Sequence, residues 1–173
     1  DKWMQGMQVL PDDLSVVHHV LIGMDMAAES APLTDANGVY PCFGGFGIDI
    51  PLIGGWVPGA SAMQMPDYSA IRVPAGARIV LQMHYHLVEE ARADQTGIAV
   101  DWAETLPVRE ASFVLAGNAN NQLSDGTGLQ PGMNDNGDPE FRIPAEESNH
   151  IETMKYNFDY LPMDIQIYML ANH

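Results

Sequence analysis

Apolar and polar residues alternate along much of the chain in short runs rich in Val, Ile, Tyr and Phe, each closed by Gly or Pro. A period of two is the signature of a strand, because successive side chains point to opposite faces of a sheet. The alternation predicts strands over 14–24, 69–73, 77–88, 97–102, 110–116, 150–160 and 163–171. No stretch sustains a helical period; residues 12–17 and 89–93 make single turns at most. Many short strands separated by turns predict an all-β fold, an antiparallel jelly-roll-like β-sandwich.

Two connections are longer than a hairpin needs. Residues 25–68 contain "PCFGGFG" and "GGWVPGA", and a loop of that length needs something to order it. Residues 117–139 are polar and turn-rich. Their Asn134, Asp135, Asn136, Asp138 cluster lacks the spacing and terminal Glu of a calcium loop and reads as a turn.

The alternation also sorts the histidines. In "ARIVLQMHYHLV" (77–88), Ile79, Leu81, Met83, Tyr85 and Leu87 share the core face, while Val80, Gln82, His84 and His86 share the other. Spacing alone nominates His84 with His86 as a chelating pair. "VVHHVLIG" (16–23) sets His18 beside His19. Neighbours on a regular strand face opposite ways, so gripping one ion with both requires a bulge or a strand end. On a regular strand Val16, Val20 and Ile22 face one side and Val17 and Leu21 the other, so both faces read as buried and a buried imidazole needs a hydrogen-bond partner or a metal; without a metal, one histidine is a core group bonded to a backbone carbonyl and the other a surface group. Separate packing duties and a shared metal both fit that pattern. Two such motifs among six histidines shift the balance toward metal, since imidazole is the commonest ligand for copper and zinc. His150 follows "IPAEESN" and reads as a cap or a surface group. His173 shares the face of Met163, Ile165, Ile167 and Met169. Among the methionines, Met83 and Met169 suit core packing, and Met63, Met65 and Met133 lie in loops as open thioether candidates for Cu(I).

Composition narrows the partners. The chain has 173 residues, with 23 acidic against 7 basic side chains and a formal net charge of −16. That length buries roughly 70% of the unfolded surface, and that charge repels nucleic acid and anionic membranes, so neither is expected as a partner. Cys42 is the single cysteine, so no intrachain disulfide and no four-cysteine zinc site can form. The apolar runs fall short of the ~20 residues of a membrane helix. No signal peptide is visible, and the opening Asp1 suggests a mature form or an excised piece.

Four fragments carry a resemblance when taken in order: "VVHHVLIG" (16–23), "GGWVPGA" (54–60), "VPAGARIVLQMHYH" (73–86), and "FRIPAE" leading to "IQIYMLANH" (141–173). Together they resemble the N-terminal domain of the copper type II, ascorbate-dependent monooxygenases, the family of peptidylglycine α-hydroxylating and dopamine β-monooxygenase, and more closely its bacterial relatives. The resemblance implies two consecutive jelly-roll-like domains, each carrying one copper. It places an electron-transfer copper on His18, His19 and His84. His173 would be the first ligand of the second copper, whose other ligands have no counterpart here. Residues 1–160 would be the copper-binding domain and 161–173 the strand leading into a second one. The implied activity is hydroxylation of an activated C–H bond with O2, with the isolated chain inactive. The implied partners are a second monooxygenase domain of the same polypeptide, ascorbate or another reductant, and a small organic substrate. The implied location is extracellular or periplasmic. His86 becomes a neighbour, with Gln82 or Tyr85 orienting a ring. Animal members use several disulfides in this domain, which one cysteine cannot reproduce. Two rivals remain: a non-catalytic jelly-roll structural or interaction module, with or without metal, and a zinc or copper module built on His84 and His86.

Overall fold

A computed structural model of the chain describes residues 1–114 and 125–170. Among these residues the strands are β1 (Lys2–Leu10), β2 (Val17–Asp25), β3 (Leu52–Trp56), β4 (Met63–Gln64), β5 (Ser69–Val73), β6 (Arg78–Tyr85), β7 (Gly97–Trp102), β8 (Arg109–Glu110), β9 (Gly128–Leu129) and β10 (Met154–Lys155). The described residues contain no α-helix, only a 3-10 turn at Ala31–Leu33, and no helix long and apolar enough to cross a membrane. The described residues are mostly β. Its chain falls into two units, Asp1–Val114 and Leu115–His173.

The first unit holds two sheets. In one, β1 pairs antiparallel with β7 along one edge and with β5 and then β4 along the other. Its β5–β8 pair runs parallel, Ser69 opposite Arg109 and Ala70 opposite Glu110, so this sheet is mixed where a purely antiparallel one was expected. The stretch between β5 and β8, which includes β6 and β7, is long enough for the crossover that parallel pairing requires. The second sheet is antiparallel, with β2 between β3 and β6.

Both sheets feed one apolar core. Met4, Met7 and Val9 of β1 and Ile71 and Val73 of β5 meet Val17, Val20, Ile22 and Met24 of β2 and Ile53 and Trp56 of β3. At Gly54 of β3 the sheets approach closely, because any Cβ there would collide with the Met7 methyl from the other sheet.

The segment after β2 is ordered from its first residue. The fully buried Asp25 carboxylate accepts hydrogen bonds from the Glu29 amide (3.0 Å), the Ser30 amide (2.8 Å) and the Ser30 hydroxyl (2.6 Å). Burial alone would raise the Asp25 pKa, but those donors outweigh it and hold the carboxyl below its usual range. Further on, the Tyr40 hydroxyl donates to the Phe46 carbonyl at 2.7 Å. Phe46 and Ile50 then close over Gly23, where an added Cβ would lie within 2.8 Å of one ring and 2.7 Å of the other side chain.

Strand lengths depart from the sequence pattern at several places. β5 and β7 match it residue for residue. β1 was not foreseen, because a register shift between Met4 and Gly6 spaces its buried methionines three apart and breaks the period of two. Gly-rich β3, and β4 and β9, also fall in segments read as loops. Over 150–160 only Met154–Lys155 pairs, and 163–170 carries no strand. Alternation shows that a segment can pleat, whereas a ladder also needs a partner offering N–H and C=O groups. Among the described residues of the second unit that partner exists only for β10, which pairs with β9 and sets Met154 opposite the fully buried Leu129.

Candidate metal centre

The ladder between β2 and β6 contains one extra residue. Val17 lies opposite Tyr85 and His19 opposite His84, so His18 has no partner position; from His19 onward the pairing is regular through Asp25 opposite Arg78. This is a β-bulge, the condition under which adjacent histidines can serve one ion. The inserted residue also changes the parity of the strand. Val17 and Val20, three apart, both enter the core with Ile22 and Met24, which overturns the expectation that Val17 sides with Leu21. His18 and His19 end on the side facing away from the core, where His84 also projects.

The three rings pack against one another. His18 Nδ1 lies 3.1 Å from His19 Nδ1, and His84 Nδ1 lies 3.3 Å from His19 Nε2. Ring centroids are 5.2, 4.9 and 4.4 Å apart for the pairs 18–19, 18–84 and 19–84. One nitrogen from each ring falls within 4.8 Å of the other two. Metal–imidazole bonds of about 2.0–2.1 Å permit ligand nitrogens up to roughly 4.2 Å apart, so a spread of this size leaves a group that could hold one ion. His19 is 9% exposed, while His18 and His84 are open to solvent. Three nitrogen donors without a carboxylate or thiolate form a set that suits copper or zinc. Among the described residues no other group of His, Cys, Asp or Glu side chains gathers in this way.

The other nominated residues fall elsewhere. β6 ends at Tyr85, so His86 lies beyond the pleat that would align it with His84; its amide donates to the Val16 carbonyl at 2.9 Å and its ring stays outside the cluster. Gln82, opposite Leu21, shares the face of His84, and its Oε1 is buried without a hydrogen-bond partner. Tyr85 belongs to the opposite face and donates to Asp94 Oδ2 at 2.9 Å; burial, that bond and the Asp94 charge push its hydroxyl up to about 12. Met63 and Met65 pack against the core, and Met133 is exposed. His150 is neither a cap nor a surface group: its ring is largely buried and its Nε2 lies 2.6 Å from Glu152 Oε1. His173 lies outside the described residues.

Sequence reasoning missed the Asp94 carboxylate, which joins the Asp13 turn to Tyr85. Asp94 accepts from the Asp13 amide (3.1 Å) and the Thr96 hydroxyl (2.9 Å) on Oδ1, and from the Thr96 amide (3.2 Å) and Tyr85 hydroxyl on Oδ2. Burial opposes its ionisation, yet these donors hold it below the usual carboxylate range. The Asp-x-Thr spacing of Asp94 and Thr96 signals a local turn. Nothing in the sequence links Asp94 to Asp13, eighty-one positions away.

Fold and site together define a mostly-β protein with a three-histidine candidate metal centre. No protein-family model, no curated protein and no solved structure matches the chain.

Proposed function

We propose that the Asp1–Val114 unit is the electron-transfer copper domain of a copper- and ascorbate-dependent monooxygenase that hydroxylates an activated C–H bond with O2. The supporting observation is the convergence of His18, His19 and His84: residues sixty-five positions apart share one cluster through a single bulge. They are the ligand set that the resemblance to the copper type II monooxygenases implies. The two sheets around one core are consistent with the jelly-roll sandwich of that family.

Copper bound to three imidazoles supplies a one-electron store, since neutral nitrogen ligands accommodate both Cu(I) and Cu(II). The chain's part is to hold the rings: the ladder fixes His19 and His84, and the bulge presents His18 toward solvent on the side where a reductant can approach. Oxygen activation belongs to a second copper-binding domain, with ascorbate or another reductant and a small organic substrate as partners, in an extracellular or periplasmic setting.

One histidine cluster among the described residues also suits a second reading, a non-catalytic β module that binds a metal without cycling it. Electron paramagnetic resonance separates the two. We expect one Cu(II) per chain, a signal abolished by ascorbate and restored by air, no binding in the His18→Ala/His84→Ala double variant, and no hydroxylation by the chain alone. Copper binding that survives the double variant refutes the site. A Cu(II) signal untouched by ascorbate refutes the electron-transfer role.

A further inference from the structure

We propose that Asp94 is a positioning residue for the three-histidine centre, tying the turn that delivers the bulge to the strand that delivers His84. The inference rests on that cluster being a metal site. A bulge near the end of a ladder is weakly held, because few interstrand hydrogen bonds lie beyond it to limit its movement. Beyond His18 the ladder retains only the Val17–Tyr85 pair and the bond from the His86 amide to the Val16 carbonyl. Metal ligands must nevertheless be held within about 0.5 Å of a productive geometry. Additional restraint is therefore required on both sides of the cluster.

One carboxylate supplies it. Asp94 Oδ1 takes the amide of Asp13, five residues before His18, and Oδ2 takes the hydroxyl of Tyr85, the residue after His84. The Asp13 carbonyl in turn accepts from the amides of Val16 (3.2 Å) and Val17 (3.1 Å), which carries the restraint to the first residue of β2. Asp13 is itself braced, its carboxylate accepting from the amide and hydroxyl of Ser15. The two segments are stitched further by the Asp12 amide to Thr96 Oγ1 (3.2 Å) and the Gln95 amide to Asp12 Oδ2 (3.1 Å). Asp94 acts through the backbone before one ligand pair and the side chain after the third ligand, since the Tyr85 side chain leaves β6 on the face opposite His84.

The test uses the full chain and Cu(II) alone as probe. Asp94→Asn keeps the shape but replaces one acceptor oxygen with a donor, and Tyr85→Phe removes a single hydroxyl. Both variants are expected to bind one copper with affinity reduced about 10–100-fold, the range for losing support behind a ligand, and with a shifted Cu(II) paramagnetic resonance spectrum. Asp1→Asn, which removes a hydrogen-bonded carboxylate elsewhere in the unit, is expected to leave affinity and spectrum unchanged. If Asp94→Asn misfolds by circular dichroism, Tyr85→Phe decides alone. Wild-type affinity and spectrum in both folded variants overturn the inference while leaving the copper site intact. Failure of the wild-type chain to bind copper overturns both.

Discussion

Deleting His18 should remove metal binding and leave the fold standing. In the ladder Val17 already lies opposite Tyr85 and His19 opposite His84, so excising the residue between them joins two neighbouring register positions into a regular strand. Every side chain keeps its face. A deletion elsewhere in β2 behaves differently, because a one-residue slip moves all residues on one side of it to the other face. Removing Leu21 would turn the buried Val17 and Val20 away from the core. At about 1.5–3 kcal/mol for each buried valine, that loss is about 3–6 kcal/mol. A unit of this size loses about 4 °C of Tm per kcal/mol, so the Leu21 deletion should melt roughly 12–24 °C below the parent. The His18 deletion should stay within about 4 °C. Thermal unfolding of the metal-free proteins by far-UV circular dichroism reads the first quantity, and Cu(II) titration calorimetry reads the second. A His18 deletion that unfolds like the Leu21 deletion means that His18 is not the inserted residue. One that binds copper as tightly as the parent means that the cluster is not the site.

Two further outcomes follow from packing and charge. Gly54→Ala drives a Cβ into the Met7 methyl and should cost about 1–3 kcal/mol in urea unfolding, with Met7→Ala restoring part of the loss through the space it vacates; additive effects of the two changes would refute the contact. Acid should destabilise the metal-free protein in a defined direction. Hydrogen bonds from the Ser15 hydroxyl and amide hold Asp13 below the ordinary value of 3.8, those from the Val39 and Asn37 amides do the same for Asp35, and at Asp25 the Ser30 and Glu29 donors overcome the opposing effect of burial. A carboxyl with a depressed folded pKa favours folding above its unfolded value and loses that contribution as pH falls through the lower folded value. Tm should therefore be flat above pH 3.8 as far as these groups are concerned and drop beneath it, and Asp25→Asn should lower the plateau and shallow the drop. A Tm that rises on acidification below 3.8 would contradict the assignment.

What the sequence made legible tracks the regularity of the backbone. β5 and β7 are unbroken period-two segments, and their limits follow from the pattern alone. β1 and β2 each contain a register shift, and there alternation fails in the way a one-residue insertion requires: the apolar spacing becomes three for one step, and the reader sees two half-strands out of phase. The core face of β6 was legible because Ile79, Leu81 and Met83 keep strict alternation. The grouping of His18 and His19 with His84 was anticipated only through resemblance. Spacing favoured His84 with His86, whereas the three-histidine group takes His84 with His18 and His19. The seat of Phe46 and Ile50 on Gly23 depends on contacts between residues far apart in sequence, as does the Asp94 bridge, and no local pattern encodes either.

The bulge resolves a conflict that a regular strand could not. β2 is the centre of its sheet and must send Val17, Val20, Ile22 and Met24 to the core. A strand without insertion would send Val17 and Val20 to opposite faces and would split the histidine pair, burying one imidazole among apolar side chains where an unpartnered nitrogen is costly. One extra residue restores the apolar face and returns both imidazoles to the other side together. Packing thus constrains the two histidines unequally. His19 occupies a ladder position opposite His84 and is mostly buried, so its ring serves the sheet as well as the cluster. His18 occupies no ladder position, and the core does not depend on its side chain. What the described residues set against the His18 ring are the rings of His19 and His84.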